Sequence, residues 1–221
     1  MGKGTNPQKG VTVMYIVIAV IIVLLVLMLI VNNVVFMRLE VSGSSMETTL
    51  QDGDVVVASK KAKAKRGDII IIDKVKETGT DSKGNVTYAY LIKRLIATEG
   101  DTVRFETDGL YLKQKGADDF KLVSKATIST VPDSSKPQYD GDAIKYFIVG
   151  KEEVIGKNQI LYIGDNVTNS NDSRYYGTTD KKNIVSVVPK WAVKTKKATT
   201  FIVKKIISPV KAFFQGKSCK G

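Results

Sequence analysis

Val13 to Val31 is an unbroken run of 19 apolar residues, with no charge, glycine or proline. As a helix rising about 1.5 Å per residue it reaches roughly 28 Å, enough for a bilayer core of about 30 Å. A cleaved signal peptide is the competing reading, but its apolar stretch usually spans about 7–15 residues. A buried soluble helix would keep one apolar stripe and leave its other positions polar. From Val34 to about Val193 the pattern shifts to short segments rich in Val, Ile, Leu and Tyr. They are Val55–Ala58, Asp68–Ile72, Tyr88–Ile96, Thr102–Phe105, Gly109–Lys113, Ile144–Val149, Gln159–Ile163 and Ile184–Val188. Turn residues bound them, as in Gln51-Asp52-Gly53-Asp54, Lys65-Arg66-Gly67-Asp68 and Glu99-Gly100-Asp101. The prolines fall outside these segments, as a sheet requires. No long amphipathic helix interrupts them, so the pattern predicts a mainly β body behind one transmembrane helix.

Two stretches break this pattern. Lys115–Asp142 is polar and turn-rich and reads as an insert or long loop. After Trp191, the residues Val203, Ile206, Ile207, Val210, Phe213 and Phe214 recur at helical spacing, with Lys204, Lys205 and Lys211 between them. Such a basic amphipathic tail suits a membrane interface; a frayed basic end is the alternative, and Pro209 would kink any helix there. The expected organisation is a cytoplasmic terminus over 1–12, a transmembrane helix over 13–31, a folded domain over 32–193 and the tail over 194–221.

Charge sharpens the picture. The chain has 221 residues and a net charge of +12, and the two ends hold nearly all of the excess. Residues 1–36 carry Lys3 and Lys9 and no acid; residues 190–221 carry nine lysines and no acid; residues 37–189 hold 23 basic and 22 acidic groups. A nucleic-acid-binding domain would carry its basic stripe on the folded body, so that class is excluded. Basic ends suit anionic lipid. Lys3 and Lys9 before the apolar run place the N-terminus in the cytoplasm and the rest of the chain outside, in a single-pass arrangement.

There is one cysteine, Cys219, with no partner and no nearby base, and there is no histidine. That excludes a Ser-His-Asp triad, a Cys-His pair and an imidazole-ligated zinc site. A hydrolytic serine would need Lys, Asp or Glu as its base. Three local sequences bear on this. Ser42-Gly43-Ser44-Ser45-Met46-Glu47-Thr48-Thr49-Leu50 taken alone is a loop. Gly164 to Gly177 is dense in hydrogen-bonding side chains, and taken alone is a surface loop of Asx and Ser turns. In Tyr90-Leu91-Ile92-Lys93-Arg94-Leu95-Ile96, strand alternation puts Lys93 with Leu91 and Leu95, and Arg94 with Ile92 and Ile96. One charge must face an apolar side. It either snorkels to water from an edge strand or is buried with a lowered pKa. At an ordinary pKa near 10.4 only roughly 0.1% of a lysine is neutral near pH 7.5. A drop of about two units, roughly 2.7 kcal/mol, lies within reach of desolvation and would make Lys93 a usable base for serine.

Together these pieces resemble the type I signal peptidases, membrane-anchored Ser/Lys proteases. The ordered match runs from the transmembrane run through Ser45-Met46-x-x-Thr49-Leu50, Arg66-Gly67-Asp68, Lys93-Arg94 and Gly100-Asp101. It ends in Gly164-Asp165-Asn166-x-x-Asn169-Ser170-x-Asp172-Ser173-Arg174-x-x-Gly177. It covers about residues 13–188. The resemblance implies an antiparallel β-sheet protease domain with no metal or organic cofactor. It implies Ser45 as nucleophile, Lys93 as general base and Ser170 as hydrogen-bond partner of the Lys93 amine. Asp172 and Arg174 would form a structural ion pair and Asp165 would support the same loop. The Ser45 N–H would serve the oxyanion hole, since Gly43 stands where some members add a hydroxyl. Met46, Leu50 and Ile92 would line small pockets for alanine at the substrate's −1 and −3 positions. The implied substrates are exported preproteins, cleaved at the outer face of the cell membrane. The chain departs from the family at Thr48, usually proline, at Ala97-Thr98-Glu99, and at Val167 and Thr168. Other readings are a dedicated relative processing pilin or surface-protein precursors, a non-enzymatic surface assembly protein, and a self-cleaving Ser/Lys repressor-type protease, which would lack the membrane helix.

Overall fold

The computed structural model describes residues 7–80, 82, 84–128 and 147–207. Helix α1 (Pro7–Val35) contains the whole apolar run, and its side chains from Val11 to Val31 are exposed. Among the described residues the apolar stretch of this helix is uncovered on every side, which suits a membrane span. The chain passes from it straight into a sheet.

Eleven strands follow among the described residues: β1 (Phe36–Glu40), β2 (Val55–Ser59), β3 (Ile69–Thr80), β4 (Val86–Thr98), β5 (Thr102–Phe105), β6 (Leu110–Lys113), β7 (Lys121–Ser124), β8 (Glu152–Val154), β9 (Gln159–Ile163), β10 (Thr179–Asp180) and β11 (Ile184–Val188). A seven-stranded sheet has the order β1-β2-β11-β3-β4-β9-β10, and a four-stranded sheet has the order β7-β6-β5-β8. The strand pairings are all antiparallel. The mainly β, antiparallel fold is as expected.

Three apolar clusters hold the body together. One joins the two sheets through Ile96, Leu161 and Ile163 on one side and Val103, Phe105 and Leu110 on the other. A second gathers Met46, Leu50, Val56, Ile69, Ile71 and Ala192 beneath the β1–β2 connection. The third packs Ile70, Ile72, Leu91, Leu95 and Tyr162. The Ile69–Ile72 run feeds two clusters because alternate side chains point to opposite faces.

Several expected boundaries shift. Strands β3 and β4 extend well past their apolar centres as a polar hairpin arm, which apolar density cannot reveal. Strand β7 lies inside the stretch expected to be a loop; its exposed Lys121, Leu122 and Val123 show no alternation because it is an edge strand. Of the expected strand Ile144–Val149, residues 144–146 lie outside the described residues. Phe147 and Ile148 are not strand and Val149 sits in a turn. The remaining difference is at the C-terminus. Helices α3 (Lys190–Lys194) and α4 (Lys196–Phe201) and a π-helical turn (Ile202–Ile207) follow β11, and α4 packs on β2. The basic segment that begins at 194 thus starts as helix against the sheet. Val210, Phe213, Phe214 and Cys219 lie outside the described residues.

Candidate active site

Residues 41–54 connect β1 to β2 and carry Ser45. The base of this loop is pinched by two backbone bonds: the Val41 N–H donates to the Asp54 carbonyl (2.8 Å) and the Gly53 N–H to the Val41 carbonyl (2.8 Å). Gly43, at φ 84°, is left-handed and donates its N–H to Asp52 Oδ1 (2.7 Å). Within the loop the Leu50 N–H reaches the Met46 carbonyl (2.8 Å), closing a turn around Thr48. Met46 and Leu50 are 1% and 0% exposed and lie in the second apolar cluster. Four residues apart in a tight turn, they share a side and act as its anchors. The structure places both side chains in the core beneath the turn. Ile92 is half-buried at the edge of the same cluster. Thr48 sits at φ 85°, a region that proline's ring forbids and that costs a β-branched residue strain. A proline could not stand at this position with this backbone.

Lys93 lies in the middle of β4, opposite Ile70 on β3, and is 4% exposed. Alternation therefore buries Lys93, while Arg94 on the other face stays half-exposed. The Lys93 Nζ is 2.8 Å from Ser45 Oγ and 3.0 Å from the Ile92 carbonyl oxygen. Two residues 48 positions apart in the sequence thus meet through the fold.

The loop from Gly164 to Gly177 packs against the Ser45 turn. The Asn166 N–H donates to the Ser45 carbonyl (3.1 Å), and Asn169 Nδ2 donates to Ser44 Oγ (2.7 Å). Asp172 caps the short helix α2 (Ser173–Tyr176) by accepting from the Arg174 N–H (3.2 Å). Its carboxylate pairs with the Arg174 guanidinium at 2.8 Å, with both side chains fully buried, and also accepts the Gly164 N–H (3.0 Å). Arg174 Nη1 donates to the Val167 carbonyl (2.8 Å). Any side chain at Gly164 would collide with Ser170 Oγ and the Ser45 carbonyl, so glycine permits the close approach. Ser170 is buried beside them, but its hydroxyl makes no hydrogen bond. The expected bond from Ser170 to the Lys93 amine is absent from this arrangement. Asp165, within the loop, ties it to β4 through a double contact with Arg94 at 2.5 and 2.7 Å.

The Arg66-Gly67-Asp68 and Gly100-Asp101 motifs carry no link in the sequence; the fold supplies one. Arg66 grips the buried Asp101 through two contacts, at 2.6 and 2.7 Å. Asp101 also accepts the Thr98 and Lys115 N–H groups, both at 2.9 Å. Burial works to raise its pKa, but Arg66 and these N–H groups outweigh it and hold the carboxyl below the ordinary range. A carboxyl depressed in the folded state stabilises the fold above its unfolded pKa of about 3.9, and that contribution is lost as pH falls through the folded pKa. Asp101→Asn should therefore cost about 1–3 kcal/mol at pH 7. The gap to wild type should narrow as thermal melts are taken from about pH 5 toward pH 2.

A cleft of about 440 Å³ opens beside the turn between Thr48, Arg94, Ile96, Val123, Gly164 and Val167. Strand β7 supplies one wall, a contribution its sequence did not signal. Among the described residues, no group of three or more His, Cys, Asp or Glu side chains is arranged to hold a metal ion.

A peptidase class follows from comparison with known proteins. The family described as "Signal peptidase, peptidase S26" matches over residues 13–191. Signal peptidase I V of Bacillus subtilis (strain 168) is 31% identical over 162 residues, covering 72% of this chain and 86% of that protein. Signal peptidase I of Streptococcus pneumoniae serotype 4 is 27% identical over 168 residues, covering 66% and 76%. A crystal structure of a signal peptidase I from Enterococcus faecalis V583 is 22% identical with a TM-score of 0.32, covering 58% of this chain and 98% of that one. The chain belongs to the signal peptidase family, peptidase S26, whose members remove signal peptides from preproteins.

Proposed function

We propose that this protein is a membrane-anchored serine endopeptidase that cleaves exported preproteins after small residues in an Ala-x-Ala pattern, with Ser45 as nucleophile and Lys93 as general base. The observation that carries the reading is the 2.8 Å approach of the Lys93 amine to the Ser45 hydroxyl inside the sheet. Desolvation disfavours the ammonium, so burial makes the amine available as a base. Neutral Lys93 takes the Ser45 proton as Ser45 Oγ attacks the scissile carbonyl. The resulting ammonium returns a proton to the leaving amine. In the second half, Lys93 takes a proton from water as it attacks the ester, and the ammonium returns that proton to Ser45 Oγ as the acyl–oxygen bond breaks. The Ser45 N–H serves the oxyanion. Asp165, Asp172 and Arg174 hold the facing loop, with Ser170 buried within it. Ile92 borders the small-residue pocket, with Met46 and Leu50 shaping it from the core.

The bilayer is the second partner. We place α1 across it, N-terminus in the cytoplasm and the catalytic domain outside. Phe36, the first residue after α1, meets Trp191 edge-on at a centroid distance of 6.4 Å. Trp191 and Phe201 are 51% and 61% exposed on the C-terminal segment. Exposed Lys190, Lys194, Lys197 and Lys205 accompany them. Aromatic and basic residues next to a membrane helix suit a lipid interface.

The test is incubation of the detergent-solubilised protein with an Ala-x-Ala preprotein, followed by intact mass and N-terminal sequencing. One cut after the −1 alanine, abolished by leucine at −1, is expected. Failure to cut any of a panel of preproteins would remove the reading; cleavage confined to one or two would point to the dedicated processing relative.

A further inference from the structure

The family match ends at residue 191, and helix α4 beyond it reaches the loop that carries the candidate nucleophile. Lys196, the first residue of α4, donates its Nζ to the Thr49 carbonyl (2.6 Å) and pairs with Asp54 Oδ2 (3.0 Å). This contact is shielded: the Lys196 and Asp54 side chains are 17% and 12% exposed. Asp54 uses the same carboxylate to accept the Gln51 N–H (2.9 Å). One helical turn on, Thr200 Oγ1 accepts the Val55 N–H (2.7 Å). Residues four apart share a helix face, so one face of α4 holds the far half of the Ser45 loop at Thr49, Asp54 and Val55. The Gly164–Gly177 loop holds the near half at Ser44 and Ser45. Ser45 sits between the two grips.

We infer that α4 is a latch that holds the Ser45 turn in its reactive shape, with Lys196 as the positioning residue. This inference rests on the proposed function for its catalytic consequence, though not for the latch itself. Thr48, next to the gripped carbonyl, holds a left-handed backbone at φ 85°. Such strain persists only where the surroundings over-determine it. The Lys196 bond lands on the Thr49–Leu50 peptide, one residue beyond Thr48, and the Met46 and Leu50 anchors fix the core side. Releasing the Thr49 carbonyl frees the turn to relax, and Ser45 then loses its alignment with Lys93. Asp54 remains charged throughout the neutral range: burial works to raise it, but the Gln51 N–H and Lys196 outweigh it.

The test uses the full chain in detergent with Lys196→Met, Lys196→Arg and Thr200→Val, read by steady-state kinetics and by hydrogen exchange of the 44–50 amides. Lys196→Met should lower kcat about tenfold with KM within about twofold, and Lys196→Arg should restore most of kcat. Exchange in the 44–50 turn should quicken by about tenfold or more while the β3–β4 hairpin is unchanged. An unchanged kcat together with unchanged turn exchange overturns the latch, as does a loss seen only in KM. If Lys196→Met does not fold, Thr200→Val is measured in the same two ways, and the same results support or overturn the latch. If the wild type cuts no preprotein, the proposed function fails, and the exchange arm alone still decides the latch.

Discussion

Ser45→Ala and Lys93→Met are expected to yield folded, inactive protein, with kcat/KM on an Ala-x-Ala preprotein lower by at least about 10³-fold in each. The reason is chemical. Serine attacks only when its proton has somewhere to go, and no histidine exists to take it. Lys93 is the amine within reach, at 2.8 Å. Lys93→Arg should be as inactive as Lys93→Met, because a guanidinium stays charged and cannot accept the proton. The double variant should be no worse than either single one, since nucleophile and base act as one unit. Stability should move the other way. Methionine removes the desolvation cost of the buried amine, so Lys93→Met should melt at or above the wild-type temperature. Paired kinetics and thermal melts separate this from a folding defect.

The second large effect is structural. Asp172→Asn and Arg174→Met each leave one member of a fully buried pair uncompensated. Breaking such a pair costs about 3–5 kcal/mol. For a body of this size that is a Tm drop of about 6–20 °C. The pair also holds the Gly164 N–H and the Val167 carbonyl. These tie directly to the stretch that touches the Ser45 backbone, so activity should fall before the protein unfolds. Calorimetry and initial rates over a temperature series would show activity lost some degrees below the melt. A variant with wild-type Tm would contradict the assignment.

How much of this was legible in the sequence varies with the physical signal. Alternation marked Thr102–Phe105, and mostly apolar runs marked Gln159–Ile163 and Ile184–Val188, because those strands are buried on at least one face. It could not mark Lys121–Ser124, which is largely exposed, or the polar ends of β3 and β4. The burial of Lys93 rather than Arg94 was an even choice from alternation alone; the packing of β3 and β9 decided it. The Arg66–Asp101 and Arg94–Asp165 pairs join residues 35 and 71 positions apart, beyond the reach of any local pattern. The tight turn that sends both Met46 and Leu50 into the core is set by backbone bonds that no local pattern shows. The C-terminal basic pattern suits an interfacial helix or a frayed end alike; it carries no sign that Lys196 and Lys204 fold back onto Thr49, Asp54 and Glu40.

The central claim is that Ser45 becomes covalently acylated by the signal-peptide side of the scissile bond. It is tested by quenching the reaction of a preprotein with the wild type in acid during the first turnovers, then locating any added mass by peptide mapping. An ester of the signal peptide on the peptide containing Ser45, absent in Ser45→Ala and in Lys93→Met, is the predicted result. Cleavage that proceeds at the wild-type rate in Ser45→Ala, or an adduct on another residue, would contradict it.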